Sequence, residues 1–136
     1  MTWLDLAENP EAVKSAFEIA PSLKDVEVVA LRIDRDGPTI TVDIALSEQP
    51  SKLSPRWERI SANAVTLTLQ LLGVETVSLD GWATENQATI DINPGSSTKI
   101  EVQITGATTQ FRCRCQWLRI AGLTGYRRES HSPKIS

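Results

Sequence analysis

Histidine and cysteine are nearly missing from this chain. The single histidine, His131, stands in the polar run Glu129-Ser130-His131-Ser132-Pro133-Lys134. Nucleophilic catalysis of the Ser-His-Asp or Cys-His kind needs a positioned imidazole, and a polar tail without periodicity does not position one. The two cysteines, Cys113 and Cys115, are two residues apart. On a strand their alpha carbons stand about 6.5–7 Å apart, at or beyond the reach of a disulfide. With no third cysteine, a disulfide framework is excluded, and a metal site would lack two ligands. Both thiols therefore read as small core side chains. A thiol activated by Arg112 and Arg114 is the alternative, but alternate strand residues point to opposite faces. No phosphate-binding loop or dinucleotide fingerprint occurs. No catalytic, metal-binding or cofactor-binding residue is assigned, and no cofactor is expected.

Long apolar runs are missing too. The longest uncharged stretch, Ile60 to Val74, is interrupted by Ser, Thr, Asn and Gln, far from the ~20 apolar residues of a membrane helix. The start, MTWLDLAENPE, carries acids at once and no basic region, so a cytoplasmic location is expected and no membrane partner. At 136 residues the chain suits one domain. We expect a β-rich domain over 1–127 and a flexible tail over 128–136.

What is present is a split charge. Residues 1–110 hold 16 Asp+Glu against 8 Lys+Arg, net −8, whereas residues 111–136 hold 6 Lys+Arg and only Glu129, net +5. The basic end includes Arg112, Arg114, Arg119, Arg127 and Arg128. Nucleic acid would want such a cluster. The chain as a whole is acidic, however, and no stacking aromatics are interleaved on that face. The expected use is instead intramolecular, against outward acids of neighbouring strands.

Strand signals dominate. Asn9 and Pro10 suit a helix start, and Val13, Ala16, Phe17 and Ala20 make one apolar stripe. That predicts a helix of about ten residues, ended by Pro21. The period then changes to two. Val26, Val28, then Val29, Leu31 and Ile33, and after Arg35-Asp36-Gly37-Pro38 the set Ile40, Val42, Ile44 and Leu46, read as a hairpin. The phase slip between Val28 and Val29 predicts a bulge. Pro55–Ile60 reads as a short turn or edge strand. Further strands are expected through Val65–Leu71, Val77–Leu79, Ala88–Ile92, Ile100–Ile104 and Phe111–Trp117, the last with Trp117 inward. Leu118 and Ile120 carry the opposite phase, predicting a second bulge near Trp117. The sum is mainly β: an antiparallel sandwich or open barrel of about seven or eight strands with one short N-terminal helix.

Two groups of residues could carry function. Outward strand positions include Thr39, Thr41, Asp43, Thr66, Thr68, Gln70, Thr89, Asp91, Thr98, Lys99, Glu101 and Gln103. They make a solvated face, or an acidic recognition face for a basic protein. Of the four tryptophans, Trp3 and Trp117 read as packing residues, while Trp57 and Trp82 sit beside proline or glycine turns, where a ring can be half exposed. The partner-binding candidates are Trp57, Trp82, Asp43, Asp91 and Glu101. A small-molecule or carbohydrate-binding sandwich that stacks its ligand on an exposed Trp is the alternative. An exposed sheet edge also leaves a homodimer open.

The order of several short pieces carries a resemblance: Trp3, a short helix, Pro21-x-Leu23 before a hairpin turned by Asp36-Gly37, Pro55-x-Trp57 after a loop, Asn63 ahead of the Val65–Leu71 strand, and an end near Tyr126. Over roughly residues 3–126 the chain resembles the immunity protein 50 family of bacterial polymorphic toxin systems. The resemblance implies a mainly β cytoplasmic protein, encoded beside a toxin, that protects the producing cell by binding the toxin. It brings no catalytic residues. The acidic bias fits a basic toxin.

Overall fold

The structure, a computed structural model, describes residues 2–95 and 100–127. The expected tail, with His131, and the outward positions Thr98 and Lys99 lie outside them.

Eight antiparallel strands make the fold: β1 (Val26–Asp34), β2 (Thr39–Ala45), β3 (Ala64–Leu72), β4 (Thr76–Asp80), β5 (Gln87–Pro94), β6 (Ile100–Gly106), β7 (Gln110–Cys115) and β8 (Trp117–Tyr126). They form one sheet in the order β4-β7-β6-β5-β1-β2-β3-β8, and it does not close into a barrel. Two four-stranded halves meet at a narrow seam, where β1 and β5 pair only through Val26–Ala88 and Glu27–Gln87. The Val28 N–H to Asn86 carbonyl bond (3.0 Å) and the Ile90 N–H to Leu23 carbonyl bond (2.9 Å) lengthen that seam.

A second link runs along the chain itself. β3 leads into β4, and β7 into β8 across Gln116 alone. The β3/β8 ladder ends at Leu72–Trp117 and the β4/β7 ladder begins at Thr76–Arg114. Between them Gln116 N–H donates to the Leu72 carbonyl (2.9 Å) and Glu75 N–H to the Arg114 carbonyl (2.8 Å). A two-stranded ribbon thus carries the chain between the sheet's two ends.

The period-two residues fill one core. Ile40, Val42 and Ile44 from β2 join Leu67, Leu69 and Leu71 from β3, Ile90 and Ile92 from β5, Val102 and Ile104 from β6, Phe111 from β7, and Leu118 and Ile120 from β8. Both cysteines are buried in it as free thiols, as expected. The thiol of Cys113 is pushed far up by its hydrogen bond with Cys115 and by burial, so it stays protonated. Each of the eight strands except β4 contributes to this cluster.

The bulge expected at Val28/Val29 is present as a register shift between Val28 and Ala30. Several expectations need correction. Pro55–Arg59 is a short helix rather than a turn or edge strand, and β8 pairs regularly at Trp117 and Leu118, its register shift lying between Thr68 and Leu69, opposite Gly122 and Ile120. The N-terminal helix α1 is only Glu11–Lys14, although Val13, Ala16 and Phe17 are buried as the stripe required. It ends early because the Ala16 carbonyl turns to the Ser51 and Lys52 N–H groups. Asn9 does not cap it, since Pro10 holds the cap position and the Asn9 side chain is used elsewhere. Trp117 is not core. Its inward phase ends at Cys115, where the chain leaves β7, and Trp117 is 48% exposed while Leu118 is buried. A 3-10 helix (Trp3–Leu6) and a short helix α2 (Pro55–Arg59, capped by the Ser54 hydroxyl accepting from Trp57 N–H) complete the structure.

Candidate partner-binding surfaces

The register assembles two outer faces. Across β1-β2-β3-β8 the rows read Arg32–Thr41–Gln70–Arg119, Ala30–Asp43–Thr68–Gly122 and Glu27–Ala45–Thr66–Thr124. Asp43 sits near the middle, half-buried, and accepts a 2.7 Å hydrogen bond from the Thr68 hydroxyl. Across β4-β7-β6-β5 the rows read Thr76–Arg114–Glu101–Asn93 and Ser78–Arg112–Gln103–Asp91. Here the expected pairing with an outward acid is found for Arg114, whose Nε lies 3.6 Å from Glu101 Oε2, whereas Arg112 stands between Ser78 and Gln103. Arg112, Arg114, Thr76 and Gln103 line a depression of about 390 Å³ on this face.

The sequence-derived candidates are therefore dispersed. Asp91 and Glu101 are exposed diagonal neighbours on one face. Asp43 belongs to the other half of the sheet. Trp57 is half-buried and packs on the core, its ring lying over Gly125 of β8, where a Cβ would sit 2.6 Å from two ring atoms. It also borders a cavity of about 400 Å³ with Ala12, Ser15, Lys52 and Arg56. Trp82 is 44% exposed, two residues beyond the end of β4.

The loop carrying Trp82 is fixed by two features the sequence reading did not single out. Gly81, at φ +87°, passes so close to the Thr108 carbonyl that any Cβ would collide with it. Asn86 is buried, and its amide closes the loop on itself: Ala83 N–H donates to Oδ1 (2.8 Å), Nδ2 donates to the Ala83 carbonyl (2.6 Å), and the Thr109 hydroxyl donates to Oδ1 (3.1 Å). The Asn86 N–H in turn donates to the Glu27 carboxylate (2.5 Å). An Asn a few residues after Asp80-Gly81 is a turn signal that could have marked this knot.

The two edges of the sheet are unlike each other. On β8, Ala7 bridges Leu118 in parallel, and Glu8 N–H donates to the Leu118 carbonyl (2.8 Å). The Asn9 amide then serves as a substitute strand residue, with Nδ2 donating to the Ile120 carbonyl (2.9 Å) and Ile120 N–H donating to Oδ1 (2.8 Å). Trp57 covers the far end at Gly125. On β4 all five residues are exposed, and only β7 pairs with it. Val77 and Leu79, in line with Cys113 and Phe111 of the core, are 42% and 45% exposed.

Among the described residues, no group of three or more His, Cys, Asp or Glu could hold a metal ion, and no helix is long and apolar enough to cross a membrane. No curated protein and no solved structure matches the chain. A family model described as Immunity protein 50 matches residues 9–126, a span that includes all eight strands, Trp57 and Tyr126 but begins beyond Trp3. The chain belongs to the immunity protein 50 family.

Proposed function

We propose that the chain is a non-catalytic immunity protein of the producing cell's cytoplasm that neutralises a cognate bacterial toxin by binding it directly. The observation carrying this reading is the family match over the whole sheet, residues 9–126. The acidic balance of residues 1–110, net −8, suits a basic toxin, because opposite potentials speed encounter. A specific complex of this kind buries roughly 1,200–2,000 Å². Trp82, Asp91 and Glu101 are proposed as contacts at or near that surface. Asp43 and Trp57 are proposed as secondary ones, since each side chain already has a partner within the fold.

The test is a titration of the purified chain against the toxin domain encoded beside its gene, by calorimetry and by rescue of toxin-poisoned cells. Tight binding, growth rescue and an association rate that falls as salt rises are the expected results. Absence of a complex would refute the reading. The cavity beside Trp57, with Lys52 and Arg56 on its rim, is the feature that keeps the small-ligand alternative in play. On that alternative Trp57→Ala abolishes binding of a carbohydrate or other small molecule stacked on the ring, whereas toxin binding is absent from the start.

A further inference from the structure

We infer that β4 is the strand on which the toxin docks, by laying an extended, basic segment of its own along the open edge. This rests on the immunity reading above and deepens it by naming the surface and the chemistry of the partner.

Sheet edges invite pairing with other chains. Proteins usually block them with lysine, proline, a bulge or a covering segment. Among the described residues, such devices stand at β8 and along the outer half of β1. β8 is covered by Ala7–Asn9 and Trp57. The outer half of β1, beyond its short seam with β5, has the Val28/Ala30 register shift and an Arg32–Asp34 ion pair at 3.1 Å. β4 has none of these. Its sequence, Thr-Val-Ser-Leu-Asp, contains no proline and no basic residue, and its pairing with β7 is regular over all five residues. Its end is also held rigidly, by Gly81 against Thr108 and by the Asn86 knot. A preset strand loses little freedom when another strand joins it.

The edge specifies its occupant. One face offers Val77 and Leu79, half-exposed aliphatic side chains that an added strand would cover with apolar residues at alternate positions. The other face offers Thr76, Ser78 and Asp80. No Lys or Arg occurs between Arg59 and Lys99, a stretch holding Glu75, Asp80, Glu85 and Asp91. A second copy would bring another Asp80 to the same edge. A strand with Lys or Arg across from Asp80 would neutralise it. Arg112 and Arg114 lie one strand further in, about 9–10 Å from an added strand, and Arg114 is engaged with Glu101.

The experiment titrates the toxin domain encoded beside this gene against four forms of the full chain: wild type, V77K/L79K, D80K and I33K. Ile33 is 56% exposed on β1 and serves as the control edge. Circular dichroism melts check that each form is folded. V77K/L79K should weaken binding at least about 30-fold. D80K should weaken it roughly tenfold, mostly through slower association, and I33K should stay within about threefold of wild type. D80K keeps the test decisive if the double variant fails to fold. If wild type binds and both β4 variants bind equally well, the edge assignment is overturned while the immunity reading stands. Loss on I33K alone overturns it in favour of β1. A wild-type dimer abolished by V77K/L79K overturns it in favour of a second copy. If wild type itself does not bind, it is the immunity reading that fails.

Discussion

The two margins of this sheet solve the same physical problem in opposite ways. β8 ends in groups that would otherwise lack partners, and the chain spends Ala7–Asn9 and Trp57 on covering them. β4 lies at the other end, linked to β8 through β7 and Gln116, and is left bare with two aliphatic side chains showing. A fold that had to hide every edge had a segment available for the purpose and used it on β8. The difference points to β8 as the structural margin and β4 as the one kept open for contact.

Substitutions can break that contrast from the covered side first. Gly125→Ala should drive a methyl group into the Trp57 ring and cost about 2–3 kcal/mol of stability in urea denaturation. Next comes Asn9→Ala, which leaves the Ile120 N–H and carbonyl without the Asn9 amide. It should cost about 1–2 kcal/mol and raise the exchange rate of the Ile120 amide. The smallest effect belongs to the open side: V77K/L79K should change stability by less than about 1 kcal/mol, because both side chains lie outside the core cluster. A larger loss there would mean that β4 carries packing the fold depends on, and the contrast would collapse.

The sequence made local structure legible and long-range structure opaque. The β1–β2 hairpin, its turn at Asp36-Gly37 and the bulge after Val28 all followed from period-two phase, since neighbouring strands joined by a short turn need no other information. The family resemblance was also readable from the order of its short motifs, and the match over residues 9–126 supports it. Strand order was not legible. Nothing in Cys115-Gln116-Trp117 announces that the chain leaves one end of the sheet for the other, so period-two phase carried through Cys115 points Trp117 inward although it is exposed. Asn9 looked like a helix cap because capping is a local role, whereas its partner Ile120 is 111 positions away.

The candidate site shows the same limit more sharply. Alternation of Val77 and Leu79 with polar residues gives the direction each side chain faces, but not whether another layer stands opposite. Along β2 the same pattern is buried, with Ile40 and Ile44 fully covered, and along β4 it is not. Of the five residues proposed from sequence, Trp82 falls beside that open edge, and Asp91 and Glu101 share the face behind it. Asp43 lies on the other half of the sheet, because outwardness along a strand does not say in which half a residue will be found, and Trp57 lies on α2 over Gly125 of β8.

Amide hydrogen exchange of the free chain and of its complex with the toxin domain encoded beside its gene reads the state of β4 directly. In the complex, the amides of Thr76–Asp80 that face away from β7 should slow at least about tenfold, while Ile120 on β8, already held by Asn9, should not change. A complex in which β4 exchanges as fast as in the free protein, with slowing confined to β1 or to the Asp43–Thr68 face, would contradict docking on β4.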